Sequence, residues 1–176
     1  LDTKALEKYN VELTEKIEEI QNAIYAEVGH TFNIASTKQL GEVLFEELGY
    51  KAGKKTKTGY STDNSVLEEL APFHPLCNKI IEYRELSKLQ STYVEALPKL
   101  VDKESRIHTS FMQNGTATGR LSSTNPNLQN IPVRNEMGRR IRSAFTAPKG
   151  KVYISADYSQ IELVVLSHLS GDKAMC

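Results

Sequence analysis

The sequence predicts a mostly α-helical chain that passes, near residue 105, into the start of an α+β unit with a small antiparallel sheet. Three observations predict this. Apolar residues recur at steps of three and four through most of residues 3–97. The period drops to two at Arg106-Ile-His-Thr-Ser-Phe-Met112. A short apolar run, Val152 to Ala156, then ends in Asp157 and is followed by a second helical pattern.

Residues 3–28 read as one long helix. Leu6, Tyr9, Leu13, Ile17, Ile20 and Ile24 form its apolar stripe, and Gly29 stops it. The opposite face is acidic, which makes this helix scaffold and keeps it away from phosphates. Ser36-Thr-Lys-Gln39 is a capping-box pattern. It opens a helix through Leu40, Val43, Leu44 and Leu48 that Gly49 closes. The loop from Tyr50 to Ser61 is basic, carries Gly53 and Gly59, and is expected to be mobile. Thr62 to Leu70 makes a short helix. Pro72 and Pro75 break the chain, and Pro75 suits the first turn of the next helix. That helix is expected to run to about Leu97, with Leu76, Ile80, Tyr83, Leu86 and Val94 inward.

After Pro98 comes the strand at 106–112. Residues 116–134 are rich in Thr, Ser, Asn, Gly and Pro and read as loop or short turns. Met137 to Ala144 makes a short helix. Pro148-Lys-Gly150 turns into a buried strand, Val152 to Ala156. A carboxylate at the end of such a strand is held where water or a metal can reach it. Asp157 can equally be read as a cap for the following helix, whose apolar positions are Ile161, Val165, Leu166 and Leu169.

A chain of 176 residues can bury one core, or form one domain plus part of another. No stretch is long and apolar enough to span a bilayer, and the first residues do not read as a signal peptide. Cys77 and Cys176 make no metal-type cluster, which fits a reducing, cytosolic compartment. His30, His74, His108 and His168 show no ligand spacing and read as structural. The formal net charge is zero. Its distribution is uneven: residues 1–49 carry ten acids and four bases, whereas residues 50–176 carry twelve acids and eighteen bases. Lys51, Lys54, Lys55 and Lys57 form one basic cluster. Arg134, Arg139, Arg140, Arg142, Lys149 and Lys151 form another, interrupted only by Glu136. Such patches suit a phosphate backbone, and they also occur as plain solvated loops.

Two blocks go further. Asp157-Tyr-Ser-Gln-Ile-Glu162 closely resembles the first metal-binding motif of the family A DNA polymerases, the bacterial DNA polymerase I type. Thr116-Ala-Thr-Gly-Arg120-Leu-Ser-Ser, running on through Asn127, Gln129 and Asn130 to Arg134, is similar to a signature of the same family in the same order. The resemblance covers essentially the whole chain. It implies an α-helical thumb at residues 1–105 and the first part of an α+β palm at 106–176.

The resemblance implies DNA-templated DNA synthesis, in replication and repair, by two-metal-ion nucleotidyl transfer. The partners would be primer–template DNA and a deoxynucleoside triphosphate, with Mg2+ as cofactor, in the bacterial, nucleoid-associated cytoplasm and without a membrane partner. Asp157 would be one of the family's two metal-binding aspartates, helped by the Tyr158 carbonyl. Gln160 would line the nucleotide site. Glu162 would be the gate that excludes a 2′-hydroxyl; without the resemblance it reads as a solvated helix acid. Arg120, Asn127, Gln129 and Asn130 would donate to minor-groove acceptors near the primer end, which every correct pair presents. Asn and Gln can equally satisfy the backbone of an irregular loop. Arg134 would meet a phosphate or a carboxylate. Lys54, Lys55 and Lys57, with Arg84, Lys88, Ser91 and Thr92 on one face of the long helix, would grip the duplex through phosphates. For Arg84 the competing reading is an ion pair with Glu82 or another nearby acid.

No residue here matches the family's second metal aspartate, nor the helix that holds the incoming nucleotide. The chain is therefore expected to be a fragment that binds DNA without polymerising it alone. Val164 and Gln90 depart from the family pattern, which has arginine and lysine there. Three other readings compete: a non-catalytic DNA-binding module, a single-subunit RNA polymerase, and a purely structural helical protein. Glu162 argues against the second of these, and the two blocks against the third. An unfinished palm sheet would leave an edge that invites self-association.

Overall fold

The computed structural model describes residues 1–51, 55–56, 59–133, 135–172 and 174, with only the backbone at 55–56. It falls into two compact units, residues 1–145 and 146–176. The expected thumb-to-palm boundary near residue 105 falls inside the first of these units. Ile131, Ile141 and Ala144 lie in the same core as Leu6 and Ile80, so the segment after residue 105 is packed into the first unit.

The first unit is built on helix α1, Thr3–Val28. Asp2 caps its start, accepting a hydrogen bond from the Ala5 N–H at 3.0 Å. Gly29, at φ 90°, ends it and donates to the Tyr25 carbonyl. Leu6, Tyr9, Leu13, Ile20 and Ile24 are buried as the spacing predicts, and Ile17 is partly so. Each fully buried aliphatic side chain contributes about 1.5–3 kcal/mol. Helix α2 spans Thr37–Glu42 and runs into a π-helical turn, Val43–Glu47. Ser36 accepts from the Gln39 N–H, so half of the capping box forms. The Gln39 side chain instead accepts from the Asn33 N–H at 2.8 Å.

The segment from Tyr50 to Ser61 holds a minimal hairpin rather than loop throughout. Strands β1 (Lys55–Thr56) and β2 (Gly59–Tyr60) pair antiparallel, Lys55 opposite Tyr60. Tyr60 packs on Phe45 with ring centroids 5.0 Å apart. Helix α3 is Asn64–Leu70. Helix α4 is Pro75–Leu89. It does not continue as α-helix to Leu97: a π-helical turn, Gln90–Val94, follows, then a 3-10 turn, Leu97–Leu100. The Glu95 N–H reaches the Gln90 carbonyl at 2.9 Å, five residues back. Leu76, Ile80 and Leu86 of α4 face α1 in the shared core, with Val94 and Leu97 beyond. Ion pairs Lys16–Glu82 and Lys79–Glu27, at 2.8 and 2.6 Å, join the two helices. They are solvent-exposed and contribute about 0–1 kcal/mol each.

The expected strand at 106–112 shortens to β3, Ser110–Met112, paired antiparallel with β4, Ser122–Thr124. Asp102 explains the difference. Its Oδ1 accepts from the N–H groups of Glu104 and Arg106 at 2.8 and 2.9 Å, and its Oδ2 lies 2.7 Å from His108 Nε2. These bonds hold 102–108 in a turn. Helix α5, Glu136–Ser143, is capped by Asn135 accepting from the Gly138 N–H at 2.8 Å. The histidines read as structural make local contacts: His30 bonds Glu47 at 2.7 Å, and His74 stacks on Tyr50. Cys77 is fully buried, and burial pushes its thiol up to about 11.

The second unit carries helix α6, Ile161–Ser170, closed by Gly171 at φ 64°. The buried strand expected at Val152–Ala156 does not form. Val152 and Ile154 are 80% and 88% exposed, and no described strand pairs with this run. An apolar run supplies only one side of a ladder, and a strand exists only when a neighbour supplies the other. The Tyr153 hydroxyl donates to the Thr146 carbonyl at 3.3 Å.

Gly138 is pressed against Pro132, where an added Cβ would run into the carbonyl group. Gly138→Ala is expected to lower stability by about 1–3 kcal/mol, read as a fall in the urea midpoint. The His108 imidazole, then the Arg106 and Glu104 N–H groups, hold the Asp102 carboxyl at about 2, below its ordinary 3.8. A depressed carboxyl stabilises the fold above its ordinary value and loses that contribution as pH falls through the folded value. Asp102→Asn should therefore flatten the fall in urea midpoint between about pH 4 and pH 2.

Candidate nucleic-acid interface

The donor-rich block is a surface loop on a frame of hydroxyl hydrogen bonds. Ser123, in β4, is 1% exposed. Its Oγ accepts from the Leu128 N–H at 3.1 Å and lies 2.7 Å from Thr109 Oγ1. The single Thr109 hydroxyl proton lies between the carbonyls of Pro126 and Thr124, 2.7 and 3.1 Å from Oγ1, the nearer being Pro126. Two small hydroxyls thus satisfy backbone groups that neither helix nor ladder serves. Beyond them, the Tyr93 hydroxyl donates to the Asn130 carbonyl at 2.6 Å. Thr116 donates to the Arg120 carbonyl at 2.6 Å, closing the turn at Gly119.

With the backbone held in this way, Arg120, Asn127, Gln129 and Asn130 are all exposed. Part of the loop-satisfying alternative also holds. Asn127 Oδ1 accepts from the Gln129 N–H at 3.0 Å, and Gln129 Nε2 donates to the Leu121 carbonyl at 3.3 Å. Thr109, Ser123 and Tyr93 do not stand out by motif or spacing. The available signal was chemical: short hydroxyls in the strands flanking a Pro- and Asn-rich loop.

Along α4 and its π turn, Lys88, Ser91 and Thr92 are exposed. Ser91 Oγ donates back to the Ser87 carbonyl at 2.9 Å. Arg84 departs from this face. Its guanidinium donates to the Thr62 carbonyl and, at 3.1 Å, to Thr62 Oγ1. Burial lowers its pKa, and the Asp63 charge opposes that. The loop before α3 offers these two acceptors to the planar fork, and Glu82 pairs with Lys16 instead. Gln90 turns inward as well. Its Nε2 donates to Asn10 Oδ1 and Thr14 Oγ1, both at 2.8 Å, fastening the π turn to α1. Lys54, Lys57 and Arg134 lie outside the described residues, as does the Lys55 side chain.

In the second unit, Asp157, Tyr158, Gln160 and Glu162 are exposed. Asp157 does not cap α6. The cap position is Gln160, at φ 48°, and its carbonyl accepts from Leu163 and Val164 N–H. A non-glycine residue held in the left-handed region costs roughly 1 kcal/mol. Val164, where the sequence departs from pattern, is 58% exposed. The Asp157 carboxylate and Tyr158 carbonyl are hard oxygen donors of the kind Mg2+ takes. They fit such an ion in kind but fall short in number for two. Among the described residues, no three His, Cys, Asp or Glu side chains gather as a metal site. No described helix is long and apolar enough to cross a membrane.

Comparison with known proteins agrees with these features. The family model described as DNA polymerase family A matches residues 3–176. DNA polymerase I of Treponema pallidum is 59% identical over 89% of this chain and 16% of its own length. The thermostable DNA polymerase I of Thermus aquaticus is 52% identical over 98% of this chain and 21% of its own length. The chain thus spans about a fifth or less of these curated relatives. The POL domain of Pol1 from M. smegmatis, solved in complex with DNA primer-template and dNTP, is 45% identical. It superposes with a TM-score of 0.89 over 98% of this chain and 31% of that one. A model matched along nearly every residue, with two signature blocks in the family's order, shows that the chain belongs to DNA polymerase family A.

Proposed function

We propose that this chain supplies the primer–template grip and one metal-binding carboxylate of a DNA-directed DNA polymerase that acts in replication and repair. Residues 1–105 form the thumb and 106–176 the first part of the palm. One observation carries the reading: the 116–130 block keeps Arg120, Asn127, Gln129 and Asn130 at the surface on a backbone that internal hydroxyls satisfy. Donors held in this way suit the purine N3 and pyrimidine O2 acceptors of the minor groove, which test pair shape without reading sequence. Lys88, Ser91 and Thr92 on the thumb, with Lys54, Lys55, Lys57 and Arg134, would meet phosphates. Arg84 is left out of that set, since it holds Thr62.

Asp157 and the Tyr158 carbonyl would hold Mg2+. Bound there, the ion would stabilise charge on the reacting phosphate oxygens. Gln160 and Glu162 would face the incoming deoxynucleoside triphosphate, Glu162 excluding a 2′-hydroxyl. The place of action would be the nucleoid-associated cytoplasm of a bacterium. For the 176-residue chain by itself, a non-catalytic DNA-binding module is the second reading.

Fluorescence anisotropy with a primer–template hairpin tests the grip. The chain is expected to bind at micromolar or weaker affinity, falling steeply with salt and indifferent to Mg2+. Lys88→Ala should reduce the slope of log affinity against log salt by about one. No binding at low salt would sink the reading. In a primer-extension assay with Mg2+ and all four deoxynucleotides, the chain is expected to add no nucleotide. Extension would show that one aspartate suffices.

A further inference from the structure

The π turn and the donor-rich block meet at one hydrogen bond. Tyr93 is the fourth residue of the turn Gln90–Val94 and is 8% exposed, packed with Leu89, Val94 and Leu97 in the core. Its hydroxyl donates to the Asn130 carbonyl at 2.6 Å, across 37 residues of sequence. The ring's burial pushes the phenol above its ordinary value, so the donor keeps its proton throughout the working pH range.

On one side of this bond stands the turn itself. Gln90 ties it to Asn10 and Thr14 of α1, while Ser91 and Thr92 face outward. On the other side lies a short arch, residues 127–130. Ser123 fixes its beginning through the Leu128 N–H, and Tyr93 fixes its end at the Asn130 carbonyl. Ile131 then enters the core at 6% exposure. Within the arch, Asn127 Oδ1 accepts from the Gln129 N–H, and Gln129 Nε2 donates out to the Leu121 carbonyl. The backbone that carries the Asn127, Gln129 and Asn130 amides is thus held at its two ends, by Ser123 and Tyr93, as well as by these two local bonds.

We propose that Tyr93 is a positioning residue for DNA recognition: its hydroxyl sets the amides of Asn127, Gln129 and Asn130 at a fixed offset from the Ser91–Thr92 turn. Phosphate contacts on the turn and groove contacts on the arch would then be made in one register. The inference rests on the functional reading above and goes beyond it, because Tyr93 itself touches no DNA.

Tyr93→Phe removes the hydroxyl and keeps the ring in the core. Tyr25→Phe is the matched control, since the Tyr25 hydroxyl donates to the Phe32 carbonyl at 2.8 Å, far along α1 from the arch. Both variants lose one tyrosine-to-carbonyl bond and should lower the urea midpoint alike. Tyr93→Phe is expected to weaken primer–template binding about five-fold, the scale of one net hydrogen bond. It should leave the salt slope unchanged, since no phosphate contact is lost. It should also shrink the preference for a matched over a mismatched primer end, and speed amide exchange at Leu128 to Ile131. Tyr25→Phe should do none of these. If the unsubstituted chain fails to bind, the functional reading falls and this inference with it. If the chain binds and the two variants behave alike in affinity and matched-end preference, the inference alone is overturned.

Discussion

Burial of the α1 stripe is the constraint on which the first unit depends. Leu6, Tyr9, Leu13, Ile20 and Ile24 cannot be covered by α1 itself. They recruit Leu76, Ile80 and Leu86 from α4, Leu40 and Leu44 from the α2 region, and Ile131 and Ile141 from beyond β4. Elements of very different sequence position are thereby fixed to one rod. The polar contacts around the seam refine this arrangement. Arg140 bonds Glu12 at 2.6 Å and lies 3.9 Å above the Tyr9 ring, which holds α5 against α1. A cation over an aromatic face contributes about 0.5–1 kcal/mol at an exposed site.

The interface is a problem in backbone accounting. A segment that keeps amides at its surface cannot spend them all on itself, and a segment with no ladder must still satisfy its N–H and C=O groups. Thr109, Ser123, Thr116 and Tyr93 do this work with hydroxyls, which leave the amide side chains largely outward. The same division of labour explains Arg84 and Gln90. Both sit next to outward-facing residues, and both are consumed in holding neighbouring segments in place.

How much of this could be read in advance depended on the range of the interactions involved. The α1 stripe, the Gly29 stop, the Ser36 cap and Pro75 at the start of α4 are local signals, written within a few residues, and they were legible. The two blocks identified the family for the same reason. The turn at Asp102 is also local, yet its carboxylate competes with a period-two pattern for the same residues, and hydrogen bonds decided the outcome. The run Val152–Ala156 encodes a wish for burial and not the partner that grants it. The inward turn of Gln90 depends on Asn10 and Thr14, about eighty residues away, and no window of sequence reports such a pairing. The compact division at residue 145 was hidden likewise, because Ile141 and Ala144 are recruited by α1.

The π turns at Val43–Glu47 and Gln90–Val94 each hold one residue more than an α-helical turn of the same rise. One residue of α-helix corresponds to about 100° of rotation. Each turn is thus a stored rotation, a place where the count of residues and the direction they face have been decoupled. Shortening the chain by a single residue there would leave the upstream helix intact and swing everything after it around the axis. Tyr93 would be carried off its carbonyl, although no contact-making side chain had been changed. Length variation in this part of the chain therefore acts as a change of angle, and an alignment gap placed at residues 90–94 should be read as a rotation of the surface beyond it.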